Sequence, residues 1–134
     1  MMRRIPALAF GVSLGIASAA FGADFDGKHE LVCSAGEAAE CDTSALCEKV
    51  AAGDIDLPGE LHVDFKKKLV RSADGQRSSP IHAVEASDAA LIVQGSQNGR
   101  GWSMVIERAS GKLTGTIAEV EGAIVLSGSC ANAP

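Results

Sequence analysis

Between Leu61 and Cys130 the chain repeats one device: a short run of alternating apolar and polar residues, then a tight turn, then another such run, at roughly ten-residue spacing. That rhythm admits few folds. Leu61, Val63 and Phe65 alternate with His62 and Asp64, the period-two pattern of a half-buried strand. Lys66-Lys67 begins a turn into "KLVRS", Asp74-Gly75 makes the next, and "SPIHAVE" and "AALIVQG" flank Ser87-Asp88. Asn98-Gly99 is the strongest hairpin signal, because both residue types tolerate the positive φ of a type I′ turn. Beyond it Trp102, Met104 and Ile106 share one face and Ser103 and Glu107 the other. Ser110-Gly111 leads into "KLTGTIAEV", with Leu113 and Ile117 opposed to Thr114 and Thr116, and Glu121-Gly122 leads into "AIVLSGSC". With a first strand at "KHELVCS", residues 28–34, the pattern predicts an all-β chain of about eight strands. An antiparallel meander of that size closes most simply as a small up-and-down barrel. One short helix is expected over residues 43–52, with Asp42 or Thr43 as its cap and Gly53 as its stop, before Leu57-Pro58-Gly59 turns the chain.

Residues 1–22 read differently: two arginines, an apolar stretch rich in Ala, Leu and Gly, then small residues up to Gly22. This is the pattern of a secretory signal peptide, with cleavage expected after Gly22. Its apolar run is too short for a comfortable span, and nothing later reaches the roughly 18 apolar residues that a membrane helix needs. A single domain over residues 23–134 without a membrane anchor is therefore expected, in the periplasm or secreted. The match of Gly11 to Gly15 to a hydrolase elbow falls inside the leader and carries no weight.

Arg3 and Arg4 leave with the leader, so ten basic residues face 17 acidic ones, a net charge of −7. Such a surface repels nucleic acid and anionic membranes. Phe25, Phe65 and Trp102 are the aromatics that remain, which leaves little for stacking sugars or bases.

The four cysteines are read in that setting. In an oxidising compartment an even number in a short chain forms a disulfide framework. Zinc and thioredoxin-type chemistry want C-x-x-C pairs, whereas seven, five and 82 residues separate Cys33, Cys41, Cys47 and Cys130. Four cysteines allow three pairings, and chain entropy does not choose among them. If the first and last strands are neighbours, Cys33 bonds Cys130 across the barrel seam and Cys41 with Cys47 closes a short loop.

The segment "NGRGWSMVIERASGKLTGTIAEVEGAIVLSGSC", together with the three-cysteine cluster upstream, resembles a group of small exported proteobacterial proteins. The resemblance implies a periplasmic or secreted setting and carries no activity. The architecture is also similar to that of small periplasmic lysozyme-inhibitor barrels. Their Ser-Gly-x-x-Tyr type of segment cannot be complete here, because the chain has no Tyr.

Chemistry-bearing residues are sparse. His62 and Asp64 lie two apart on one strand, and with His82 they would make a zinc or copper site if their strands converged. As solvated residues on outward faces they need no such role, and that reading is preferred. Lys66, Lys67, Lys68 and Arg71 form the one basic concentration, suited to an acidic partner or anionic ligand with help from Arg77 and Arg100. The competing reading is a solvated turn, or lysines guarding a sheet edge. Trp102, beside Arg100 and between glycines, is a core plug in one reading and a binding anchor in another. No nucleophile motif, cofactor loop or catalytic pair is recognisable.

The preferred expectation is therefore a non-enzymatic binding or inhibitory module acting on an envelope protein or a small ligand, with no cofactor. A metal-dependent or hydrolytic enzyme and a structural accessory subunit are the alternatives.

Overall fold

The computed structural model describes residues 25–134, and the leader expected over residues 1–22 lies outside them. The strands are β1 (Leu31–Asp42), β2 (Cys47–Val50), β3 (Glu60–Asp64), β4 (Leu69–Ser72), β5 (Ser78–Ala86), β6 (Ala90–Gln97), β7 (Arg100–Glu107), β8 (Lys112–Glu119) and β9 (Gly122–Asn132). Every pairing is antiparallel. Eight strands close in the order β1, β3, β4, β5, β6, β7, β8, β9, with β9 returning to β1 from Leu31↔Asn132 to Asp42↔Gly122. The all-β up-and-down barrel expected from the turn rhythm is the observed fold. β2 stands outside it, on the edge of β1 that β3 uses further down: β3 pairs with Leu31–Ser34, β2 with Ala38–Cys41.

Residues 43–52 do not form the expected helix. Asp42 behaves as a cap, its Oδ1 accepting from the Ser44 and Leu46 amides at 2.8 and 3.1 Å, but it caps a hairpin turn. Asp42 N also donates to Leu46 O, and Ala45 turns the chain at φ 61°. The disulfide between Cys41 and Cys47 explains why. It holds the two Cα atoms 4.0 Å apart as register partners, whereas six residues of α-helix would separate them by about 9 Å along the axis. Helical structure in the described residues is one 3-10 turn, Ala52–Ile55. β1 also runs well beyond Ser34, through a bulge between Ala35 and Glu37 that returns Ala38 to the interior.

The second disulfide lies inside the barrel. Cys33 and Cys130 are register partners across the β1–β9 seam, bonded, and buried at 0 % and 7 % exposure. Leu31, Val63, Leu91, Val93 and Ile106 are completely enclosed around them, and Phe25 covers this end from before β1. Gly111, at φ 77° in the β7–β8 turn, lets Phe25 approach, since a Cβ there would stand 2.7 Å from Phe25 Cζ. This end, which also carries the β3–β4 and β5–β6 turns, is packed shut. Among the described residues no helix is long and apolar enough to cross a membrane.

Candidate functional site at the open end of the barrel

The opposite end is built differently. Strand alternation sends Leu61, Val70, Trp102, Met104, Ile117 and Leu126 into the barrel above the packed core, where they line a cavity of about 200 Å³ that opens to solvent. An eight-stranded barrel has an interior just wide enough to be filled by side chains or to hold one small ligand. Here the interior is filled at one end and left partly open at the other. Gly115 faces inward between larger neighbours, and in this half the interior carries no second large aromatic to fill the width.

Trp102 is the principal wall. Its indole crosses β6 above Gly95, its register partner, and Nε1 donates to Ser79 Oγ on β5 at 2.8 Å. The ring is thus fixed at both edges. Ser72, also inward, knits the β4–β5 turn together: its hydroxyl donates to Asp74 Oδ1 at 2.6 Å, and the Arg77 amide donates to its oxygen at 3.1 Å. The Ser72 hydroxyl, then the Gln76 amide, hold the Asp74 carboxyl below the usual carboxylate range.

That turn delivers Arg77 to the mouth, where its Nη1 donates to the Asp56 carbonyl at 2.8 Å and lies 3.4 Å from the Asp56 carboxylate. The loop after the 3-10 turn, bearing Leu57 and Pro58, is held over the rim by this contact and by Ala35 N donating to Gly59 O at 3.1 Å. Across the mouth Arg100 Nε donates to Glu119 Oε2 at 2.9 Å. The cavity lining holds three arginines and one carboxylate, Asp56, in a chain with 17 acidic and 12 basic residues. Arg71 is turned away, donating to Glu30 at 2.6 Å on the outer wall, so two guanidinium groups stand at the opening.

The structure therefore divides the expected basic patch. Lys66, Lys67 and Lys68 are exposed in the β3–β4 turn at the closed end, where Asp64 Oδ1 accepts from Lys67 N; Arg77, Arg100 and Trp102 meet at the open end. The His62, Asp64 and His82 set is not assembled either. His62 sits on the outer wall with Nε2 2.8 Å from Glu60 Oε1 and Nδ1 3.4 Å from Glu30 Oε1, while His82 Nε2 lies 3.3 Å from the Ser96 carbonyl. Among the described residues no group of three or more His, Cys, Asp or Glu is placed to hold a metal ion.

Ser79, Gly95, Leu57 and Met104 belong to the site without having been singled out for it from sequence. A glycine inside "AALIVQG" was the available signal, since such a residue in a strand marks a close approach by another group. The chain matches no family model, no curated protein and no solved structure.

Proposed function

We propose that this chain is an exported binding module of the cell envelope, with the open end of the barrel as its ligand site. The observation that carries the reading is the half-filled interior: a core sealed at one end by Phe25 and a mostly apolar cavity at the other, framed by a few placed polar groups. Small-molecule sites have this composition, with apolar walls for affinity and sparse polar groups for orientation. Nothing at the mouth requires chemistry on the bound molecule, which favours binding over turnover. Export is supported by the leader pattern of residues 1–22 and by two disulfides with no free cysteine, a usage suited to an oxidising compartment.

Trp102 supplies its own assay. It is the only Trp in the sequence and forms the cavity wall, so its emission reports occupancy directly. Oxidised protein titrated with a panel of small apolar and amphiphilic compounds should show saturable emission changes matched by a rise in melting temperature. A panel that moves neither quantity would remove the reading.

A further inference from the structure

The size and charge of the mouth say what kind of molecule fits. A cavity of about 150 Å³ lined by apolar side chains accommodates benzene; one of about 200 Å³ has room for an apolar group of roughly six to eight carbon atoms. The walls at depth are Val70, Met104 and Leu126, and they ask for hydrocarbon. Of the polar side chains on the inward faces of the strands, Ser72 is committed to its turn, Ser79 accepts from Trp102, and Gln97 stands at the exposed end of β6, two residues beyond Gly95.

Polarity is concentrated at the rim, where two arginines stand with the carboxylates they pair with, Asp56 and Glu119. Arg77 stands at the opening on the β4–β5 turn and Arg100 at the start of β7, with side chains 51 % and 58 % exposed. Each has a carboxylate partner of its own, Asp56 for Arg77 and Glu119, 2.9 Å from Nε, for Arg100. The Asp56 side chain is 96 % exposed, and a solvated pair of this kind contributes little. Arg77 makes its shorter contact with a backbone carbonyl, which leaves its charge unneutralised by that bond. A guanidinium presents donors in a planar fork that matches an oxyanion with two equivalent oxygens. Glu119 accepts from Arg100 at Nε, each guanidinium has further N–H donors, and two such forks above an apolar well can share one anion.

We infer that the ligand is a short amphiphile, an apolar chain of about six to eight carbons that enters the barrel beside Trp102 and ends in an oxyanion held between Arg77 and Arg100. This rests on the cavity being a binding site, and the neutral member of the series below separates the two claims. A carboxylate and a phosphate ester share the required head-group chemistry.

The test is titration of the oxidised protein with octanoate, octyl phosphate, 1-octanol and octylamine, read by Trp102 emission and by melting temperature. The two anions are expected to bind at least about tenfold more tightly than octanol, and octylamine more weakly than octanol. Tighter binding of octanoate than of octyl phosphate would name a fatty acid as the source of the head group, and the reverse a phosphate ester. R77Q with R100Q should bring the anions down to the level of octanol and leave octanol unchanged. R100Q alone, which leaves the Arg77 contact with the Asp56 loop intact, should recover part of the loss. Ile117→Phe, which fills the well, should abolish binding of the whole series.

If octanol binds as tightly as octanoate, or the arginine variants change nothing, the anionic head group is wrong and the cavity remains a binding site. If octanoate survives Ile117→Phe, the chain does not enter the barrel and the inference fails. If the alkyl series is silent while other apolar compounds shift Trp102, the inference alone is lost.

Discussion

Trp102 lies across Gly95, its register partner on the adjacent strand, so closely that a Cβ on Gly95 would stand 2.7 Å from Trp102 Cε2 and closer still to Cζ2 and the Pro80 carbonyl oxygen. The missing side chain of one residue is the space occupied by the other. Gly95→Ala should therefore displace the indole, break its bond to Ser79 and destabilise the fold by about 1–3 kcal/mol, as overpacking does. Gly101 has nothing within 4 Å of its own Cβ position, and Gly101→Ala is the matched control. Denaturant melts and emission spectra of both variants check this; equal stability would mean that the ring is not confined.

The two disulfides should differ in worth and in access. Cys33–Cys130 spans 97 residues within the core, and the loop model gives it about 4–5 kcal/mol. Cys41–Cys47 spans six at the exposed hairpin and is worth about 2 kcal/mol on the same basis. Replacing the first pair by Ala should lower the melting temperature more than replacing the second. Under native conditions a mild thiol should open Cys41–Cys47 while Cys33–Cys130 stays closed, because an attacking thiolate cannot reach buried sulfur. Mass mapping of alkylated peptides reads the order directly.

Ala45 adopts φ 61° in the β1–β2 turn, a region that disfavours any residue with a Cβ. Ala45→Gly relieves that conflict at a position where the chain cannot choose another conformation without breaking the Asp42 contacts. A gain of about 0.5–1 kcal/mol is expected, less the added freedom of glycine in the unfolded chain. Thermal melts of the oxidised pair of proteins measure it, and a loss of stability would show that the turn is not under strain.

Phe25 seals the barrel end opposite the arginine mouth. It is 3 % exposed although it precedes the first strand, so Phe25→Ala should leave a void under Gly111 and cost about 3–5 kcal/mol. Trp102 reports on the other end, and its emission should be unchanged in the folded variant. An emission shift equal to that of a cavity-lining substitution would show that the two ends are not independent.

The barrel was legible because hairpins announce themselves locally. Asn98-Gly99 has the φ values of 53° and 77° that its turn requires, and the alternation at Trp102, Met104 and Ile106 does point inward. The seam followed from closure, which makes Cys33 and Cys130 neighbours. The β2 arm was misread because "TSALCEKVAA" has helical propensity, and a disulfide between register partners outweighs a few tenths of a kcal/mol per residue. The far half of β1 was missed because a bulge breaks its period at Ala35. The cavity was not legible at all: inward residues obey the same alternation whether or not they meet in the middle. Only the combined volume of Gly95, Gly115 and their neighbours decides that, and volume is not a local property of sequence.

Asp74 ties the site to pH. The Ser72 hydroxyl and the Gln76 amide bond to its carboxylate and hold its pKa below the ordinary value. A carboxyl group with a lowered folded-state pKa adds stability above its unfolded value, near pH 4, and that contribution is lost as pH falls through the folded value. Asp74→Asn does not titrate. It should be less stable than the parent at neutral pH, and the two stability curves should converge as the solution is taken below about pH 4. Because Asp74 fixes the turn that carries Arg77, octanoate affinity should weaken in the variant at neutral pH as well. Urea melts of both proteins from neutral pH into the acid range give the answer: a gap that stays constant with pH would mean that the Ser72 bond does not depend on the charge of Asp74.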